Sequence, residues 1–77
     1  MMTDYPDSEF EIDVAQRRAT HTPSRIAFTF HTYATEEEWA SAEPANVRDN
    51  PAWKGDRAAL ATAAKRAAVA AGMKAKR

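Results

Sequence analysis

Two stretches in the first half of the chain alternate apolar and polar residues. In segment 9–16 (EFEIDVAQ), phenylalanine, isoleucine and valine occupy every second position, with acidic residues between them. Segment 25–33 (RIAFTFHTY) alternates in the same way. A period of two is typical of a half-buried strand, and the stretch around Pro23 is typical of a loop. The pattern therefore predicts an antiparallel β-hairpin.

A short helix is predicted after the hairpin. Thr35 is placed to cap its first turn, and Glu38, three residues later, completes a capping box. Acidic side chains in the first turn are also favoured by the positive end of the helix dipole. Pro44 cannot continue a helix, so we expect this one to span about residues 36–43.

The last predicted helix is longer and rich in alanine. Asp56 is placed to cap it and Gly72 is typical of a helix C-terminus, so we expect the helix to span about residues 57–71. Leu60 and several alanines fall on one stripe of its surface. Because alanine is small, this stripe predicts a close approach to the sheet.

Together these elements predict a single small α+β domain over residues 1–77, with the helices on one face of the hairpin. We expect residues 1–8 to be a loose lead-in and residues 73–77 to be a frayed basic tail. An isolated two-stranded sheet is only marginally stable. We therefore expect a further strand from a second molecule, most simply by edge pairing in a homodimer.

The charged residues are sorted along the chain. Eleven acids balance eleven bases, yet the first 56 residues carry a net charge of −6 and residues 57–77 carry +6. The chain has no cysteine, which excludes disulfide bonds and cysteine zinc sites and is typical of a reducing compartment. Residues 1–11 do not resemble a signal peptide, and no stretch approaches the roughly 20 apolar residues of a membrane span. We therefore expect a cytoplasmic protein that does not enter membranes.

Candidate catalytic and metal-binding residues are few. His21 and Ser24 are close in sequence, but no third residue is placed to orient them. His31, paired with His21 or with nearby glutamates, lacks the spacing of a metal site. The two glycines lie far apart, so no glycine-rich phosphate loop is present. We expect no enzyme activity, no metal and no cofactor.

Acidic residues form the first candidate surface for a partner. Glu9, Glu11 and Asp13 fall on one face of the first strand, spaced by roughly 6.5–7 Å from the rise of an extended chain. Glu36 and Glu37 begin the short helix. Phosphates along a nucleic-acid strand have a comparable spacing, so one interpretation is a surface that imitates nucleic acid. The other is a solvated face that protects the hairpin from aggregation.

Trp53 is the remaining candidate for partner binding. It lies in an irregular segment between Pro51 and Gly55. Either it packs beneath the last helix, or it is an exposed aromatic anchor of the kind that interfaces favour. We place it with the acidic residues in the predicted partner-binding set.

Basic residues of the last helix and tail form a second candidate surface. Each could meet a phosphate of a nucleic acid, and several such contacts would make binding depend on salt. The alternative is that cations are placed there because the helix dipole favours them near its C-terminus. The six residues are Arg57, Lys65, Arg66, Lys74, Lys76 and Arg77.

The leading hypothesis is a small non-enzymatic module that binds a larger protein or nucleoprotein complex as an inhibitor or adaptor. An accessory protein of a bacterium or phage, such as a counter-defence protein, fits the alanine- and arginine-rich composition. One alternative is a nucleic-acid-binding module that uses the basic helix and tail. Another is an assembly subunit that pairs through the hairpin edge.

Overall fold

A computed structural model of the chain describes residues 5–75. Its four strands form one antiparallel sheet in the order β1-β2-β3-β4, and its two helices confirm the predicted α+β class. After a 3₁₀ turn at Asp7–Glu9, the elements are β1 (Phe10–Asp13), β2 (Arg18–His21), β3 (Ile26–Thr29), α1 (Glu36–Ser41), β4 (Asn46–Arg48) and α2 (Arg57–Ala70).

The sheet corrects the predicted pairing of segments 9–16 and 25–33. The stretch between them, predicted as a loop, contains β2, and β1 and β3 both pair with β2 instead of with each other. The first segment breaks early because Arg17 has a φ of 54° and donates its N–H to the carbonyl of Val14 at 3.2 Å. This turn reverses the chain just beyond β1.

The fourth strand comes from a segment that was predicted to be irregular. Residues of β4 pair with β3, with Phe28 opposite Val47, and all three are exposed. Because β4 packs no side chain into the core, its sequence lacks the apolar alternation of a strand. The chain itself therefore supplies the strands that the predicted two-stranded hairpin lacked, and an incomplete sheet is no longer a reason to expect a homodimer.

Helix α1 begins where the capping residues predict. The N–H of Glu38 donates to the Thr35 hydroxyl at 3.1 Å, and the Glu38 carboxylate accepts from the N–H of Ala34 at 3.0 Å. The helix ends at Ser41, two residues before the predicted end. Pro44 explains this because the residue before a proline is disfavoured in helical conformation.

Helix α2 begins and ends as its capping residues predict. Asp56 accepts N–H bonds from Ala58 and Ala59. At the other end Gly72 has a φ of 101° and closes a Schellman motif, in which the Met73 N–H donates to the Ala68 carbonyl at 3.0 Å. The left-handed glycine turns the chain back towards the sheet.

This reversal corrects the predicted frayed tail at residues 73–77. Met73 is 1% exposed and Ala75 is 2% exposed, and both belong to the hydrophobic core. A chain that follows a Schellman turn commonly packs its next apolar residue against the helix. Lys76 and Arg77 lie outside the described residues.

The predicted loose lead-in, residues 1–8, is held in place from Tyr5 onwards. Arg66 on α2 donates to the Tyr5 carbonyl, and its Nε lies 3.3 Å from Asp7 Oδ1. Residues 1–4 lie outside the part that the structure describes. The prediction was wrong for 5–8 because the stabilising cation is about 60 residues away in sequence and adjacent only in the fold.

The core lies between α2 and one face of the sheet. Ala19, which is fully buried, lies opposite Phe28 in the register, and its small size allows α2 to approach β2. The large core side chains are Phe10, Ile26, Phe28, Phe30, Trp39, Leu60 and Met73, and the alanines of α2 in the core are Ala63, Ala64, Ala67 and Ala68.

Within residues 5–75, neither helix is long and apolar enough to cross a membrane.

Candidate functional site

The acidic residues of the first strand do not form a free row. Glu9 Oε1 lies 2.8 Å from Nε2 of His21. Asp13 accepts the backbone N–H of Gln16 at 3.0 Å and lies 3.9 Å from the Arg18 guanidinium. Glu11 is exposed, so two of the three carboxylates are engaged within the chain. The geometry therefore does not provide the evenly spaced anions that imitation of nucleic acid requires.

The other predicted partner-binding residues have different surroundings. Glu36 and Glu37 are exposed in the first turn of α1, where the helix dipole favours anions. Trp53 is half-buried: its ring centroid lies 5.9 Å from that of Tyr5 and 6.2 Å from that of His21. Of the two interpretations of Trp53, the structure therefore favours packing against the domain.

Three polar side chains form a hydrogen-bonded chain beneath Trp53. The hydroxyl Oγ of Ser24 lies 2.7 Å from Nδ1 of His21, and Nε2 of His21 lies 2.8 Å from Glu9 Oε1. His21 is 2% exposed and Ser24 is 1% exposed. With the proton on Nε2, the imidazole donates to Glu9 and accepts from Ser24. Glu9 could not be recognised as the third member from the sequence, because the turn that carries it lies beside the end of β2 only in the folded sheet.

Serine, histidine and carboxylate in this order are the groups of a hydrolase triad, but here Ser24 and His21 are buried and only Glu9 is partly exposed. The Ser24 hydroxyl also accepts the N–H of Ile26 at 3.2 Å, so its oxygen is turned into the β2–β3 turn. Neither Ser24 nor His21 lines any of the four best-formed surface cavities of residues 5–75. The chain of bonds joins the 3₁₀ turn at Asp7–Glu9 to β2 and to the β2–β3 turn.

Arg57, the first of the predicted nucleic-acid-binding cations, is used within the fold. Its Nε lies 3.1 Å from Asp49 Oδ1, and its other nitrogens donate to the carbonyls of Asn50 and Gly55. Its guanidinium lies 5.1 Å from the ring centroid of Trp53, a cation–π contact. Arg57 therefore holds the loop between β4 and α2.

Lys65 has a similar role at the end of α1. Its Nζ donates to the carbonyls of Ala40 at 2.8 Å and Ala42 at 3.2 Å, and lies 5.0 Å from the ring centroid of Trp39. Burial lowers the pKa of the Lys65 ammonium from its ordinary value. With Arg66 bound to the N-terminal segment, three cations of α2 hold neighbouring segments. Lys74 is exposed.

A buried arginine outside the predicted site residues contacts Trp39 as well. Arg17 is 6% exposed, its Nε donates to the carbonyl of His31 at 3.0 Å, and its guanidinium lies 5.3 Å from the Trp39 ring centroid. Trp39 thus has cation–π contacts with two side chains. The left-handed backbone of Arg17 is not visible in the sequence, because glycine and asparagine are the residues typical of that conformation.

An open groove separates α2 from α1 and β4. Its volume is about 620 Å³, and the core residues Phe28 and Phe30 form part of its lining. Val47 on β4 is 42% exposed beside it. The other lining residues are the small or apolar Ala40, Ala42, Pro44, Ala58 and Ala61 and the polar Ser41, Glu43, Arg57, Thr62 and Lys65.

The arrangement of ionisable residues gives no metal centre in the described range, 5–75, where no group of three histidine, aspartate or glutamate side chains is placed to hold an ion. Comparison of the chain with protein-family models, with curated proteins and with solved structures gives no match.

Proposed function

We propose that this chain is a small non-enzymatic module that binds an extended segment of a larger protein, as an inhibitor or adaptor. The observation that carries the proposal is an exposed edge strand beside an apolar groove. β4 is the last strand of the sheet, and all its residues are exposed. An edge strand of this kind accepts a partner strand by main-chain hydrogen bonding.

The groove supplies the specificity of such a contact. Side chains of a partner strand alternate between the two faces of the sheet, so every second one is directed towards the side on which the groove lies. A volume of about 620 Å³ falls within the roughly 300–1,000 Å³ of typical ligand pockets. Its apolar lining suits aliphatic or aromatic side chains, and Glu43 and Thr62 at the groove offer polar contacts.

The enclosed Ser24 supports the non-enzymatic part of the proposal. A nucleophile needs a path for its substrate, whereas this hydroxyl is 1% exposed and already bonded to His21 and Ile26. The basic residues of α2 give little support to the alternative of nucleic-acid binding by that helix, because Arg57, Lys65 and Arg66 all bond to other parts of the chain.

The test is capture of a partner from nuclease-treated lysate of the source organism, with two matched variants. Val47→Lys places a charge on the edge strand at a residue that is 42% exposed, and Val69→Lys makes the same change on α2 at a residue that is 50% exposed. We expect the wild type and the Val69→Lys variant to retain one protein that the Val47→Lys variant loses.

Three results would contradict the proposal. A partner that all three proteins retain equally would place the interface away from β4, for instance at Glu36 and Glu37. Recovery of no protein partner would remove the inhibitor or adaptor function. If the wild type instead gains mass with concentration in sedimentation and the Val47→Lys variant does not, β4 pairs with a second copy, as the assembly-subunit alternative predicts.

A further inference from the structure

A second surface lies on the opposite side of the sheet from α2. Side chains two residues apart on a strand point to the same face, and side chains paired across strands share a face. The helix and the core lie on the other face. The register therefore aligns two rows of outward-facing side chains across β2, β3 and β4: Thr20, Ala27 and Arg48 in the first row, and Arg18, Thr29 and Asn46 in the second.

A shallow cavity of about 650 Å³ lies over these rows. Arg25, from the turn between β2 and β3, also lines it, so three arginines and no carboxylate surround the cavity. We call Arg18, Arg25 and Arg48 the arginine face. Pairwise strand spacings of roughly 4.8 Å and a rise of roughly 3.3 Å per residue put the Cα atoms of Arg18 and Arg48 about 12 Å apart.

These three arginines differ from the others in the described part of the chain in how they are bonded. Arg17, Arg57 and Arg66 donate to carbonyls or carboxylates of the protein. The side chains of Arg25 and Arg48 make no hydrogen bond or ion pair with residues 5–75, and Arg18 has only Asp13 at 3.9 Å. Within the described residues the fold therefore leaves Arg25 and Arg48 unbonded and gives Arg18 one ion pair.

The backbone of Arg25 supports a role outside folding. Its φ is 62°, in the left-handed region that glycine and asparagine adopt more readily than a residue with a long side chain. Its N–H donates to the carbonyl of His21 at 2.7 Å, and glycine would make the same bond. Residues held in such conformations without a local benefit concentrate at functional sites.

We propose that the arginine face binds the phosphate backbone of double-stranded nucleic acid. Guanidinium groups match the geometry of phosphate oxygens with paired N–H bonds. The hydroxyls of Thr20 and Thr29 are further phosphate partners of the type found in protein–DNA complexes. No aromatic ring lines the cavity, so the base stacking on which single-strand binding relies is missing.

The first strand limits the size of this contact. Glu11 and Asp13 on β1 line a neighbouring cavity on the outer face, together with Arg18 and Thr20. Their carboxylates repel a phosphate backbone that extends past β2. The contact therefore involves three cations. It does not depend on base sequence, since contacts to phosphates position a protein but do not specify bases. This surface lies on the other face of the sheet from the groove, and the two meet at β4, where Val47 lines both.

The experiment measures binding of the purified full chain to a fluorescent 20-base-pair DNA duplex at several salt concentrations. Three phosphate contacts give a slope of about −2.7 in log affinity against log salt, so affinity falls about 40-fold between 50 and 200 mM. The variant Arg25→Ala/Arg48→Ala retains one contact and is expected to lose only about 3.5-fold over the same range. Both side chains are exposed, so the variant should keep its circular dichroism spectrum.

The matched control is Lys54→Ala/Lys74→Ala, which removes the same charge at two exposed residues away from the arginine face. We expect it to keep the wild-type salt dependence. An unchanged slope in Arg25→Ala/Arg48→Ala would assign duplex binding to other cations and overturn the proposal. So would an absence of wild-type binding at 50 mM salt, or tighter binding to the single strand than to the duplex.

Discussion

Replacing Ser24 with alanine is expected to lower the free energy of unfolding by about 2–4 kcal/mol. The Ser24 hydroxyl bonds Nδ1 of His21 at 2.7 Å and the N–H of Ile26 at 3.2 Å. At 1% exposure, water does not reach the position that the hydroxyl leaves. A buried polar group that loses a hydrogen-bond partner destabilises the fold by about 1–3 kcal/mol. Two groups lose a partner here, Nδ1 of His21 and the N–H of Ile26. A cost of about 1–2 kcal/mol for each, the lower half of that range, gives the expected loss.

The size of this loss makes it easy to measure in so small a domain. A chain of 77 residues has a total stability of roughly 4–12 kcal/mol, at about 0.05–0.15 kcal/mol per residue. A loss of 1 kcal/mol lowers the melting temperature of a domain of this size by about 4–8 °C. We therefore expect the Ser24→Ala variant to melt roughly 8–32 °C below the wild type.

The assay is urea unfolding followed by circular dichroism, with two further variants. Ser41→Ala removes an exposed hydroxyl that bonds carbonyls on the surface of α1, and should change stability by less than about 0.5 kcal/mol. In a His21→Phe background, Ser24→Ala should cost about 1–2 kcal/mol less, because Nδ1 is then absent. The reasoning is refuted if Ser24→Ala matches Ser41→Ala, or if its cost is the same in both backgrounds.

Three other substitutions test local features of the fold. Gly55→Ala places a Cβ well inside van der Waals contact with the Trp53 ring, so we expect a displaced ring, a red-shifted tryptophan emission and a loss of about 1–3 kcal/mol. An unchanged emission spectrum would contradict the packing of Trp53 against Gly55. Gly72→Ala meets no atom within 4 Å but must adopt a φ of 101°, which should cost about 1–2 kcal/mol in urea unfolding, and equal stability would argue against the Schellman end of α2. Lys65→Met removes two hydrogen bonds to carbonyls and should lower the free energy of unfolding by about 1–2 kcal/mol. The control Lys74→Met should change it by less than about 0.5 kcal/mol, and equal effects of the two substitutions would show that the Lys65 bonds do not stabilise the end of α1.

The parts of the fold that were predicted correctly depend on neighbours in sequence. Thr35 and Asp56 cap the two helices, and Gly72 ends the second, as their positions predict. A cap acts on backbone groups two or three residues away, so its effect does not depend on the rest of the molecule. The class of the fold followed from the same local signals and from the alternation in β1 and β3.

The two missed strands have no such local signal. β2 directs Ala19 and His21 to the core, and neither is a bulky apolar residue, so the alternation of the strand is hidden. β4 is an edge strand with every residue exposed, so its sequence shows no alternation of buried apolar and exposed polar residues. Both strands exist because neighbouring strands supply hydrogen-bond partners, which periodicity does not reveal.

For the candidate surfaces, too, the sequence determined one part and the tertiary structure decided the other. From the sequence alone we determined an α+β domain with capped helices, and we identified the charged residues that could meet a partner. Only the tertiary structure decided which charges are available: Lys65 and Arg66 bond within the fold, whereas Arg25 and Arg48 are left without partners in the described residues. The composition gives the number of charged side chains, but a charged side chain is available to a ligand only where packing leaves it unpaired. Which side chains stay unpaired depends on strand pairing, which brings together residues that are far apart in the chain.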